Sequence, residues 1–146
     1  NINARGGMLI GSCLAGVAFT KGLGLVHSIS HMIGAEYNTQ HGLTNAIILP
    51  VVMKFNLPHV GEKVRFISHA MDLKDASSDL ITEEIEKILN YVDIPRSLSE
   101  IGVPLACKKR IAEKAMLDSA TGTNPRVAQI EDVEKLTEIS ILSARN

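Results

Sequence analysis

Apolar residues recur at helical spacing along nearly the whole chain, and nowhere do they alternate as a half-buried strand requires. Val60, Val64, Ile67 and Met71 stand at i, i+4, i+7 and i+11, and Ile81, Ile85, Ile88, Leu89 and Val92 repeat the pattern, each set defining one face of an amphipathic helix. The second helix carries its own start signal. Ser77, Ser78 and Asp79 offer an N-cap, Glu83, Glu84 and Glu86 complement the positive helix end, and Pro95 marks the stop. A further helix is expected from about Pro104 to Asp118, and a last one from about Ile130 with Glu131 and Asp132 early and Arg145 late. The segment from Thr121 to Pro125 between them reads as a loop. The chain is therefore expected to fold as an all-α helical bundle.

The first third is apolar but punctuated by small residues. Gly6, Gly7, Gly11, Ala15, Gly16 and Ala18 lie in a helix-like stretch, where glycine costs stability unless another backbone comes close, so a buried, tightly packed helix is expected. Cys13, on that helix, is expected in the core, and Cys107, beside Lys108, Lys109 and Arg110, at the surface. After Lys21 and Gly22 come two more apolar segments, Leu23 to Ile33 and Leu43 to Phe55. The β-branched Ile47, Ile48, Val51 and Val52 argue for a strand, but the segment exceeds strand length and contains Pro50, which a central strand does not tolerate. A buried helix is the better reading.

Composition narrows the functional classes. Hydrophobic residues make up 45% and charged residues 21%, which excludes disordered and collagen-like chains. Lys and Arg number 15 against 16 Asp and Glu, with no basic stripe, so no nucleic-acid partner is expected. Two cysteines make no disulfide framework. No uninterrupted apolar run reaches the roughly 18 residues of a membrane span. The apolar stretch before Cys13 is also shorter than the roughly 7 to 15 residues of a signal core. A soluble, cytoplasmic protein with no membrane partner is expected.

Three of the five histidines fall within fifteen residues. His27 and His31 are four apart, so on a helix their imidazoles share one face a turn apart, and Gly34 followed by a loop returns His41 towards them. Neutral imidazoles suit Zn or Fe(II). By spacing alone the three are either ligands, with Glu36 completing a self-contained four-ligand site, or a packed helical pair with a neighbour. His59 and His69, among polar residues, read as surface groups.

Around these histidines the sequence becomes recognisable. The stretch Leu14-Ala15-Gly16-Val17-Ala18-Phe19, the segment from Gly24 through His27 and His31 to Gly34, and His41-Gly42-Leu43-Thr44-Asn45-Ala46 running to Pro50 strongly resemble the signature region of the iron-containing (group III) alcohol dehydrogenases. Later landmarks follow in order: Met53-Lys54-Phe55-Asn56, Ile94-Pro95-Arg96-Ser97-Leu98, Ile101-Gly102-Val103 and Thr123-Asn124-Pro125-Arg126. A lone HxxxH is weak, but HxxxH, nine residues, then HG-x-x-NA with these landmarks is specific, and the likeness covers essentially all 146 residues.

The resemblance implies an oxidoreductase that moves hydride between a primary or secondary alcohol and NAD(P). In this family a dinucleotide-binding α/β domain precedes an all-helical domain, and one Fe(II), or sometimes Zn, is held between them by one Asp and three His. Carried over, His27 and His41 are metal ligands. His31 is a catalytic residue on the substrate and nicotinamide side of the cleft, placed to relay the hydroxyl proton. The Asp and the first His belong to an earlier helix. Residues 1–146 are thus expected to be a C-terminal helical domain incomplete at its N-terminal end, opening at Asn1 without the nucleotide-binding domain. Alone it is expected to be inactive and to hold neither metal nor NAD(P) tightly: two imidazoles are half a ligand set, and Gly22-Leu23-Gly24 is no strand-to-helix phosphate loop. Partners are then a small alcohol or aldehyde, the missing domain and a second copy in a homo-oligomer. A non-enzymatic folding or oligomerisation module and a stand-alone His-cluster metalloprotein are the alternatives.

Hydrophobic Phe19, Leu23 and Leu25 are candidate walls of a substrate pocket. The chain departs from the family pattern in two places: Thr20-Lys21-Gly22 is one residue short before His27, and Ala120 stands where some members carry a cysteine.

Overall fold

In the computed structural model, which describes residues 1–143, the described residues form no strand and seven α-helices. They are α1 (Ile2–Phe19), α2 (Leu25–Tyr37), α3 (His41–Asn56), α4 (Lys63–Ala70), α5 (Ser78–Tyr91), α6 (Lys108–Ala115) and α7 (Ile130–Ser143). The all-α expectation holds. Single 3₁₀ turns at Leu57–His59, Ser99–Ile101, Leu105–Cys107 and Ser119–Thr123 bridge helix ends. Two boundaries differ from the sequence reading. The expected helix from Pro104 to Asp118 is a 3₁₀ turn followed by the two-turn α6, and the loop at Thr121 is part of a 3₁₀ turn capped by Asp118. Arg145 lies outside the described residues.

The core is built on α2 and α3. Leu25, Ile29 and Ile33 form the buried stripe of α2, which packs on α3 and α6, while α3 also meets α5 and α7. Ile47, Ile48, Pro50, Val51 and Val52 are all buried, so α3 is covered around much of its circumference. That coverage explains why a β-branched run containing proline is helical here: packing overrides propensity. Ile111, Ala112 and Ala115 of α6 and Val133, Leu136 and Ile141 of α7 close the opposite side. The two buried hydroxyls of α7 are satisfied within the helix: Thr137 donates to Val133 O at 2.7 Å and Ser140 to Leu136 O at 2.8 Å.

The amphipathic helices keep their expected faces unevenly. Ser77 caps α5 as expected, accepting from Leu80 N, and Ile81 and Leu89 are buried, but Ile88 and Val92 of the same stripe are exposed. Val60, Val64, Ile67 and Met71 are only half-buried, because the short α4 meets little besides α5.

The largest departure is α1. Instead of being buried, it has no buried residue at all; Met8, Leu9, Ile10, Leu14 and Val17 are exposed, and a methyl group added at Gly6, Gly7, Gly11 or Gly16 meets nothing within 4 Å. The glycines of α1 are therefore not explained by close packing among the described residues. By length and composition α1 is also the one helix among the described residues able to cross a membrane, a criterion that signal sequences and core helices of soluble proteins meet equally. Its failure to appear as an apolar run reflects Asn3, Arg5 and Ser12 along the way. The two cysteines exchange their expected places: Cys13 is exposed, and Cys107 is in the core at 1% exposure. Cys107 follows the 3₁₀ turn inward, while Lys108 and Arg110 turn outward to Glu138 and Glu36.

Candidate metal and active site

The site lies where α2 and α3 begin and run alongside one another. Chain direction changes sharply before α2. Gly22 takes φ of +106°, and a Cβ there would stand 2.8 Å from Thr123 Cβ, so glycine is required both by conformation and by space. Thr123 Oγ1 donates to Leu23 O, and Leu25 N donates to Asn124 Oδ1 at 3.2 Å, so the Thr123-Asn124 pair clamps the start of α2. At the other end of the helix Asn38, with φ of +53°, caps α2 in the left-handed conformation, and Gln40 caps α3 by accepting from Leu43 N. His41 is thereby the first residue of α3.

This geometry brings the three clustered histidines together. Ring centroids are 5.8 Å apart for His27 and His31, 5.4 Å for His27 and His41, and 5.5 Å for His31 and His41, whose planes stack at 16°. The Nε2 atoms of His27 and His41 converge on one group, the Asn45 amide, whose Nδ2 lies 3.4 Å from the first and 3.0 Å from the second. Both nitrogens thus present lone pairs to a common point. Asn45 Oδ1 is buried and has no hydrogen-bond partner. Burial, then repulsion from His41 and His31, lowers the His27 pKa below its usual value, against a smaller opposing effect of Asp118. His27 is therefore neutral at pH 7, the form that ligates a metal.

His31 faces a different partner. Its Nδ1 lies 3.0 Å from Oδ2 of Asp118, a residue the sequence reading passed over as the end of a helix. Asn45 carries no role in the sequence beyond its place in the HG-x-x-NA motif; its offset of four residues from His41 on a helix is the signal that places it beside that ring. Glu36 is elsewhere. Its carboxylate takes Arg110 at 2.7 Å and Lys114 at 2.6 Å on the outer side of α2. Among the described residues no three His, Cys, Asp or Glu side chains are placed to share one ion. His59 and His69 are exposed, away from the cluster.

Beside His27 opens a cleft of about 730 Å³. Phe19, Leu23 and Leu25, the residues expected to wall a substrate pocket, all line it, together with Asn45, Leu49 and Asn124.

The family model for the C-terminal part of iron-containing alcohol dehydrogenases matches residues 1–141. The chain belongs to the iron-containing alcohol dehydrogenase family. Relatives in this family include lactaldehyde reductase of Escherichia coli K12, 39% identical over 136 residues covering 88% of this chain and 36% of the relative. NAD-dependent methanol dehydrogenase of Bacillus methanolicus is 37% identical over 145 residues, covering 93% and 38% respectively. Among solved structures, alcohol dehydrogenase from Oenococcus oeni superposes with a TM-score of 0.89 at 30% identity, over 96% of this chain and 38% of that one. The chain thus spans little more than a third of the length of these iron-containing dehydrogenases.

Proposed function

We propose that this chain is the C-terminal helical part of a metal-dependent, NAD(P)-linked alcohol dehydrogenase that moves hydride between a primary or secondary alcohol and nicotinamide. The observation that carries the reading is the convergence of His27 and His41 Nε2 on the Asn45 amide. Two imidazoles, half-exposed at His27 and exposed at His41, aimed at one point fit part of an Fe(II) or Zn ligand set, and the uncommitted Asn45 carbonyl beside them fits a site whose polar contents are incomplete. The remaining ligands, and the phosphate-binding half of the cofactor site, belong to the roughly two thirds of the relatives' length that this chain does not span. Residues 1–146 are on this reading an incomplete helical domain, inactive and weakly metal-binding when alone. The intact protein is a soluble, cytoplasmic homo-oligomer acting on small alcohols or aldehydes.

When bound, the divalent ion supplies Lewis-acid activation of the substrate oxygen. The chain's own residues do the rest of the positioning. His27 and His41 would hold the ion through the Nε2 atoms that converge beside Asn45. Phe19 and Leu23, on the apolar wall that Leu25 backs from the core, offer the carbon skeleton of the alcohol a surface in the adjoining cleft. His31, one turn from His27, receives the hydroxyl proton as the alcohol is oxidised and returns it when the carbonyl is reduced.

Reconstitution tests this. The chain is mixed with the complementary N-terminal part of lactaldehyde reductase, loaded with Fe(II) or Zn(II), and assayed for NAD-linked alcohol oxidation. Turnover is expected on mixing and absent from either part, lost in His27→Ala and His41→Ala, and retained in His59→Ala. Stoichiometric metal in the isolated chain that survives His41→Ala, or turnover insensitive to both ligand substitutions, would sink the reading.

A further inference from the structure

We infer that Asp118 is a positioning residue for His31, fixing the imidazole as its Nδ1–H tautomer and so keeping Nε2 as the free lone pair. The inference rests on the proposed role of His31 as the proton relay. It is carried by the way the two carboxylate oxygens of Asp118 are divided. Oδ1 accepts from Ala120 N at 2.8 Å and caps the 3₁₀ turn Ser119–Thr123, while Oδ2 lies 3.0 Å from His31 Nδ1. One oxygen is thus committed to the backbone, and the other to the ring.

The carboxylate is itself held rigidly. Its side chain is 13% exposed against 36% for His31, so the pair is shielded on the Asp118 side and open on the other. Thr121 Oγ1 ties the same turn to Ala115 O at 2.7 Å, and Thr123 and Asn124 tie it to the start of α2. The turn therefore meets α2 at Leu25 and again at His31, spanning the stretch that bears His27. Burial alone would raise the Asp118 pKa, but the Ala120 N–H and the His31 ring outweigh it and lower it from its ordinary value. An ionised carboxylate can only accept, so His31 Nδ1 must donate. Which ring nitrogen of a histidine carries the proton is set by the hydrogen bond the other makes.

Asp118→Asn makes the argument testable. Ala120 N still needs an acceptor, so the Asn carbonyl takes that place and its NH₂ is turned towards His31. An NH₂ facing Nδ1 donates to it and forces the opposite tautomer, the logic by which an Asp-to-Asn change in a serine-protease triad leaves geometry intact and activity low. Long-range ¹H–¹⁵N NMR of the histidine-labelled chain, recorded above the imidazole pKa, reads the tautomer directly. His31 is expected as Nδ1–H in the wild type and as Nε2–H in Asp118→Asn, with far-ultraviolet circular dichroism unchanged and Asp118→Glu restoring Nδ1–H. In the reconstituted enzyme the same substitution is expected to lower kcat by at least tenfold at little change in KM. An Nε2–H wild type, or an unchanged tautomer in Asp118→Asn, overturns the inference, as does a switched tautomer with unchanged turnover. Failure of the wild-type mixture to turn over counts against the proposed function alone, since the tautomer is read on the chain by itself.

Discussion

Asn56 and Asn124, at the end of α3 and in the loop before α7, exchange two side-chain hydrogen bonds, Nδ2 to Oδ1 at 2.9 Å and 2.8 Å. Asn124 also accepts from Leu25 N and donates to Arg126 O at 2.7 Å, while the Arg126 guanidinium sits 3.8 Å over the Phe55 ring. One side chain thus joins three elements around the site. Truncating it strands the buried Asn56 amide and the first N–H of α2. Asn124→Ala is expected to lower stability by about 2–3 kcal/mol, since each buried polar group left unpaired costs about 1–3 kcal/mol. Urea unfolding measures it; a loss below about 1 kcal/mol would show that the network is solvated instead.

The Gly22 turn gives a second expectation. Gly22→Ala forces an L side chain into φ of +106° and drives its Cβ to within 2.8 Å of Thr123. Strain of this kind costs about 1–3 kcal/mol. Beyond the shift in unfolding midpoint, the Thr123 to Leu23 clamp should loosen, visible as faster amide exchange in the first turn of α2. Gly11→Ala, in a helix interior with nothing within 4 Å, should neither destabilise the fold nor loosen the first turn of α2.

Glu36 makes stability depend on acid pH. Hydrogen bonds from Arg110 and then Lys114 pull its pKa from 4.5 down to about 2. A carboxylate depressed in the folded state stabilises fully above its unfolded pKa, and that contribution fades as pH falls towards the folded value. Arg110 and Lys114 are about half exposed, so solvent screening limits the gain to roughly 1 kcal/mol. Glu36→Gln is therefore expected to be less stable than wild type by about that amount at pH 7, with the gap closing between pH 4.5 and 2. Chemical unfolding at a series of pH values checks it, and a gap that stays constant would disprove the linkage.

A contrast between α1 and α2 tests where the core ends. Ile29 is fully buried between α2 and its neighbours, whereas Leu14 on α1 is 65% exposed. Ile29→Ala should cost about 2–5 kcal/mol through lost transfer energy and a residual cavity. Leu14→Ala should fall within about 0.5 kcal/mol, as for a surface substitution. A large penalty at Leu14 would mean that α1 is covered in solution.

The sequence by itself determined the all-α class, most helix starts and the histidine pair on one helix face. These follow from local spacing: apolar residues every three to four positions, Ser77 as a cap, and His27 and His31 separated by one turn. Tertiary structure alone decided what has no local signature. Whether the small-residue helix α1 is covered depends on what stands beside it, and among the described residues nothing buries any part of it. Cys107 and Cys13 were misplaced because neighbouring charges and apolar context do not say which way a Cα–Cβ bond points. Asn45 meets His41 through their four-residue offset on α3, but its approach to His27 and that of Asp118 to His31, 18 and 87 residues away, come only from the packing of α2 against α3 and against the Ser119–Thr123 turn. Spacing placed the rings on one face; the fold chose what each nitrogen meets.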